Sequence, residues 1–147
     1  MKFLEESLIA LDVEAASPEE AIFSTGMLLM KNELVEETYV HAMVQSFQTN
    51  GPYFVLAPNI ALPHARPEDG VKEACVSFVR LKTPVKFGHS FNDPVRLVFA
   101  LGASSSIEHV TVLQKLTALL SDQENVEKLL NAKSYEDIKP LIGGQNS

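Results

Sequence analysis

The chain has 147 residues, of which 46% are hydrophobic and 21% charged, the balance of a folded globular protein long enough to sustain its own core. A formal charge of −7 with a pI near 5.0 argues against the basic footprint that nucleic-acid binding needs. The single cysteine, Cys75, excludes an internal disulfide and a cysteine-based metal cage.

Along the chain, Ser7 to Val13 is a short apolar run broken by Asp12 and predicts a first strand. Ser17-Pro18-Glu19-Glu20 is a helix start, with Ser17 as cap, Pro18 at the first helical position and Glu20 completing a capping box. That helix is expected to reach Met30 and to bury Ala21, Ile22, Leu28 and Leu29. A second helix is expected over Glu36 to Phe47, where Val40, Met43, Val44 and Phe47 recur at helical spacing. Gly51-Pro52 ends it, and Tyr53 to Leu56 and Ile60 to Leu62 then have the texture of short strands.

Pro63-His64 follows, and Arg66 to Gly70 is expected to be a loop. Two stronger strands come next, Ala74 to Leu81 and Val95 to Leu101, both apolar on both faces as in a sheet covered on two sides. Cys75 lies inside the first of them and is expected to be a small core residue. Residues 87 to 94 form an irregular connection. The last third is helical. Ser105 to Glu108 is a capping box, and Ile107, Val110, Leu113, Leu116 and Leu120 are the expected buried stripe. Ser121 and Glu124 start another helix with Val126, Leu129 and Leu130. Ser134 starts a final one, with Ile138 and Leu141 inward and Gly143-Gly144 at its end. The expected fold is an α/β three-layer α/β/α sandwich, one domain over residues 1–147 with a small mixed sheet flanked by helices. No apolar run reaches the length of a membrane span, and Met1 to Glu6 lacks the order of a secretory signal. A cytoplasmic protein without direct membrane insertion is therefore expected.

The chemistry centres on four histidines. His41 lies off the apolar stripe of its helix and His89 in a polar loop, so both are read as surface residues. No two histidines share a short ligand spacing, so neither a metal nor another cofactor is expected. His64 ends a short apolar strand between Pro63 and Pro67, which leave its backbone little freedom. Two readings fit it: a strand-ending histidine satisfied by backbone hydrogen bonds, or a nucleophile delivered to the end of the sheet, where α/β ligand sites lie. His109 falls in the first turn of a serine-capped helix, where free amides, the positive end of the dipole and the Ser104, Ser105 and Ser106 hydroxyls favour an anion. A nucleophilic imidazole beside an anion-friendly helix start is what phosphoryl transfer through a phosphohistidine needs, because its loose transition state spreads charge over three oxygens.

The run Gly51 to Glu68, with Ile60-Ala61-Leu62-Pro63-His64-Ala65-Arg66-Pro67 at its centre, resembles the enzyme IIA components of the bacterial phosphoenolpyruvate-dependent sugar phosphotransferase system. Within the mannitol/fructose type the resemblance is strongest to the ascorbate-type branch. Pro84 to Gly88, Asn92 to Val95 and the segment His109 to Asp122 support it in the right order. The resemblance implies a phosphotransferase component in which His64 accepts phosphate from phospho-HPr and passes it to a cysteine of a cognate IIB component during carbohydrate uptake. It also implies that His109 supports the phosphoryl group.

Mannitol-type members carry an arginine in the helix before the signature loop, whereas Gln45-Ser46-Phe47-Gln48 has none. Arg66 is the natural substitute, with Ser105 and Ser106 as further phosphate-binding candidates; whether Asn59, His89 or Asp93 faces the site is open. Two other readings stand beside transport. One is a regulatory module in which phosphorylation of His64 controls a partner, and the other is a histidine-based metalloenzyme.

Overall fold

The computed structural model describes residues 1–146, with side chains described through residue 143. Its elements are β1 (Lys2–Phe3), β2 (Ile9–Val13), α1 (Pro18–Lys31), α2 (Glu37–Asn50), β3 (Ile60–Ala61), β4 (Cys75–Val85), β5 (Val95–Gly102), α3 (Ser106–Leu120), α4 (Gln123–Asn131) and α5 (Tyr135–Asn146). The sheet is mixed. Strands β4 and β5 run antiparallel through its centre, β1 and β2 both pair parallel with β4, and β3 pairs parallel with β5.

Period-two alternation explains why this sheet carries helices on both faces. From Leu97 along β5, Val98 and Ala100 join the core formed with α1 and α2, while Leu97, Phe99 and Leu101 join the core formed with α3, α4 and α5; Val95, before the register shift against β4, joins the first core out of phase. Phe78 and Phe99, opposite one another on β4 and β5, stack with centroids 4.6 Å apart. The two polar side chains that β4 buries find partners in different ways, although the Arg80 Nε is left without one. Ser77 donates to the Thr25 carbonyl at 2.8 Å. Arg80 donates to the carbonyls of Leu129, Leu130 and Ala132 at the end of α4 and pairs with Asp12 at 3.1 Å. A cation at those carbonyls also meets the negative end of the helix dipole.

Sequence expectation and structure part company in a few places, each for a local reason. The strand expected from Ser7 starts only at Ile9, because Glu6–Leu8 closes a 3-10 turn; a further short strand, β1, precedes it. Tyr53 to Leu56 forms a turn rather than a strand. The Val55 amide donates back to the Pro52 carbonyl at 3.0 Å, and Phe54 packs edge-on between Phe47 and Phe87. Pro67–Asp69 is a 3-10 turn within the expected loop. Helix α4 is capped by Asp122, which accepts from the Glu124 amide, rather than by Ser121. Helix α5 runs on past Gly143-Gly144 to Asn146.

The largest departure is the phase of α3. Val112, Leu116 and Leu119 are buried, whereas Ile107 and Val110 are 81% and 52% exposed. The helix carries two apolar stripes that share Leu116, and the second docks on the Leu97, Phe99 and Leu101 face of the sheet.

Candidate functional site

The sheet topology sets the site. Because β3 and β5 are parallel, their carboxyl ends point the same way, and the segments leaving them meet there. One leads through Pro63 to His64 and the other through Ala103 to Ser105 into α3. The Leu101 amide donates to the Pro63 carbonyl at 3.2 Å, tying the two together immediately before His64.

His64 is half-buried, and its Nδ1 lies 2.9 Å from the Leu62 carbonyl oxygen. A carbonyl only accepts, so Nδ1 carries the proton in the neutral ring and the lone pair is on Nε2. The backbone on either side is fixed. Leu62 donates its amide to the Phe54 carbonyl at 3.0 Å. On the other side the Ala65 amide donates to the Tyr39 hydroxyl at 3.1 Å, and that hydroxyl donates to the Leu101 carbonyl at 2.7 Å. Burial pushes the Tyr39 phenol far above its usual range, so it remains a protonated donor.

Facing His64 is His109, with ring centroids 5.5 Å apart and planes tilted by 50°. Its pKa is lowered, first by burial and second by proximity to His64. The residue sits where the capping pattern predicts, since the Ser105 hydroxyl accepts from the Glu108 amide at 3.1 Å and the His109 amide donates to the Ser105 carbonyl at 3.0 Å. Glu108 turns back to accept from the Ser104 amide and hydroxyl, and these hydrogen bonds lower its pKa. A serine cap of this kind contributes about 1 kcal/mol. Ser105→Ala is therefore expected to lower the unfolding free energy by about that amount in a denaturant titration; no change would mean that the Glu108 contacts alone hold the helix start.

Two clefts flank His64. One, of about 350 Å³, is lined by Tyr39, Arg66, Ser105, Ser106, His109 and Val110 together with His64. The other, of about 470 Å³, lies against the last turns of α2 and is lined by Gln45, Ser46, Asn50, Tyr53, Arg66 and Asp69 together with His64. Arg66 borders both, with its side chain 75% exposed and its Nε 3.5 Å from Glu68 and 3.6 Å from Asp69. The first cleft thus combines a free imidazole nitrogen, a second imidazole, two serine hydroxyls and the unpaired amides of a helix start, donors suited to an anion.

His64, His109, Arg66, Ser105 and Ser106 are brought together; the other candidates are not. His41 pairs with Glu37 on the α2 surface at 3.3 Å. The His89 Nδ1 accepts from the Phe91 and Asn92 amides, and the Asp93 carboxylate from the Phe87 and Gly88 amides. Asn59 bonds through its backbone to Asn92, Arg96 and Leu97 at the opposite end of β5. None of His89, Asp93 and Asn59 lines either cleft. Sequence reasoning missed Tyr39, whose partners lie far along the chain, and Ser46, Asn50 and Tyr53, whose bonds to one another are local but whose place beside His64 is set by the tertiary fold.

The sequence model of the phosphoenolpyruvate-dependent sugar phosphotransferase system, EIIA 2, matches residues 2–143. The chain belongs to this family. Among its EIIA relatives, the ascorbate-specific PTS system EIIA component of Escherichia coli (strain K12) is 35% identical over 144 residues, 97% of this chain and 94% of the relative. The mannitol-specific cryptic phosphotransferase enzyme IIA of Escherichia coli superposes with a TM-score of 0.85 at 34% identity, over 95% of this chain and 94% of that one. The Escherichia coli mannitol enzyme IIA, solved in complex with phosphorylated mannitol enzyme IIB, gives a TM-score of 0.84 at 34% identity, over 97% and 99% of the two chains. The EIIA fold, a mixed sheet flanked by five helices, is common to all three structures. Among the described residues, no helix is long and apolar enough to cross a membrane.

Proposed function

We propose that this EIIA chain is a cytoplasmic phosphocarrier that takes a phosphoryl group from phospho-HPr onto Nε2 of His64 and gives it to a cysteine of a cognate IIB component. The observation that carries this reading is the state of His64: one nitrogen occupied by the Leu62 carbonyl, the other left with its lone pair, in a residue that lines a cleft rich in donors. Transport of an ascorbate-like carbohydrate is favoured by the 35% identity to an ascorbate-specific EIIA, and the IIB acceptor by the complex of a similar IIA with phosphorylated IIB.

In the first step the Nε2 lone pair forms a bond to phosphorus as the donor's phosphorus–nitrogen bond breaks, its electron pair returning to the donor imidazole. The proton stays on Nδ1, donated in a hydrogen bond to the Leu62 carbonyl throughout, so no proton need leave the ring. The phosphoryl oxygens meet His109, Ser105, Ser106 and the free amides of α3, with Arg66 at the rim. Because the group is already charged, catalysis is mainly alignment plus donors aimed at its oxygens. In the second step the bond to Nε2 breaks, its pair returns to the ring, and an acceptor thiolate takes the phosphorus. The metalloenzyme reading has no comparable support, since no group of three potential ligands gathers among the described residues.

Incubation with phosphoenolpyruvate, enzyme I and HPr, followed by mass analysis, is expected to yield one acid-labile phosphate on His64, on Nε2. Label on another residue, or none, would sink the proposal. In the free protein His109 is expected to titrate below the ordinary histidine range in an NMR titration. It should move upward once His64 is phosphorylated, because a nearby dianion favours the imidazolium.

A further inference from the structure

We infer that Tyr53, oriented by Ser46 and Asn50, is a second-side hydrogen-bond donor to the phosphoryl group on His64. The assignment rests on the phosphocarrier reading and adds a catalytic residue to it.

Apart from Arg66, which borders both clefts, the donors of the proposed transfer lie on one flank of His64, in the cleft that α3 borders. The other flank is built from different chemistry. The Tyr53 ring and the His64 imidazole meet in a T-shaped contact, with centroids 6.1 Å apart and planes at 78°, and Tyr53 is 48% exposed. Its hydroxyl lies 3.0 Å from the Ser46 hydroxyl on α2. One helical turn further on, the Asn50 side-chain amide donates to that same Ser46 oxygen at 3.4 Å. All three residues and His64 line one open cleft.

A count of protons gives this chain its direction. The two hydroxyls hold two protons between them, and a single hydrogen bond joins them, so only one proton is used. Whichever hydroxyl donates, the other keeps a proton for an outside acceptor. The Asn50 amide already occupies an acceptor position on Ser46, which favours Ser46 donating to Tyr53 and leaves the tyrosine proton turned to the cleft. A half-exposed phenol meets water there in the resting protein and can exchange that water for a phosphoryl oxygen without breaking a protein contact.

The acidic group nearest this flank, Asp69, would repel a phosphoryl dianion, but its carboxylate accepts from the Arg66 amide at 3.1 Å and pairs with the Arg66 side chain. A phosphoryl group on Nε2 would then sit between two sets of donors, His109 with the α3 start on one side and Tyr53 on the other. Its three oxygens need such spreading of donors, since charge is shared among them in transfer. The tyrosine proton does not move in either step; one bond to phosphorus forms at Nε2 and one breaks at the donor.

Rapid-quench phosphorylation of the full chain by phospho-HPr tests this with Tyr53→Phe, Ser46→Ala and the double variant. Tyr53→Phe is expected to lower the limiting rate about tenfold, the loss of one hydrogen bond to a charged group, with the half-saturating phospho-HPr concentration and the melting temperature unchanged. Ser46→Ala should slow transfer less, and the double variant should be no slower than Tyr53→Phe alone, because both act through one proton. A structural role for Tyr53 would instead move the melting temperature or the half-saturation. A wild-type chain labelled on His64 with Tyr53→Phe at the same rate overturns this assignment alone. No label on the wild-type chain overturns the carrier reading and this assignment with it.

Discussion

His64→Gln is expected to take up no phosphate from phospho-HPr, whereas His109→Ala is expected to take it up roughly a hundredfold more slowly. The difference follows from what each ring supplies. In the proposed transfer His64 provides the atom that bonds to phosphorus, and glutamine, whose amide nitrogen has no available lone pair, cannot replace Nε2. The His109 ring lies with its centroid 5.5 Å from that of His64, and in the proposed transfer it supplies a donor, not a bond. Removing one preorganised donor commonly costs between about 10² and 10³ in rate, and Ser105, Ser106 and the helix amides remain in place to retain part of the catalysis. Folding should tolerate the change. His109 is half-buried in a first turn held by Ser105 and Glu108, so a stability loss within about 1 kcal/mol is expected. Rapid-quench rates beside denaturant curves separate the two effects. A His109→Ala chain that transfers at the wild-type rate would remove His109 from the site, and a His64→Gln chain that still becomes labelled would place the acceptor elsewhere.

Features of this molecule that depend on neighbours within a turn or two were legible in its sequence, and those that depend on docking were less so. The Ser17 and Ser105 caps form as expected, because a cap is a contract between residues three apart. The doubly buried β4 and β5 also followed from their apolar texture. The buried face of α3 did not, since Ile107-Val110-Leu113 and Val112-Leu116-Leu119 are both valid helical stripes and only contact with Phe99 and Leu101 selects between them. At the site, His64 alone admitted a structural reading as readily as a chemical one. What sequence could not give is which nitrogen the Leu62 carbonyl occupies, a matter of how the chain turns at Pro63. The residues without any sequence signal were the tyrosines. Tyr39 bonds to partners 26 and 62 positions away, and no local period encodes such a contact.

Tyr39→Phe is the substitution in which fold and site should fail together. The residue is 1% exposed, and its hydroxyl stands between the Ala65 amide and the Leu101 carbonyl. Phenylalanine fills the same space but leaves a donor and an acceptor without that partner, for which about 1–3 kcal/mol of stability is the usual cost. The functional consequence comes from where the donor sits. Ala65 follows His64 directly, and of the bonds that hold this stretch, Leu62–Phe54 and Pro63–Leu101 survive upstream while the one downstream, to the Tyr39 hydroxyl, is lost. Small misplacements of a reacting atom are costly in a reaction that depends on alignment, up to about a hundredfold per ångström. A loss of roughly tenfold in transfer rate is therefore expected beside the stability loss, with phosphate still appearing on His64. Tyr39→Phe with lowered stability and an unchanged rate would make Tyr39 a core residue only. A lowered rate that persists well below the unfolding transition would show that the fold's central strand, through Leu101 and one buried phenol, sets the position of the phosphate acceptor.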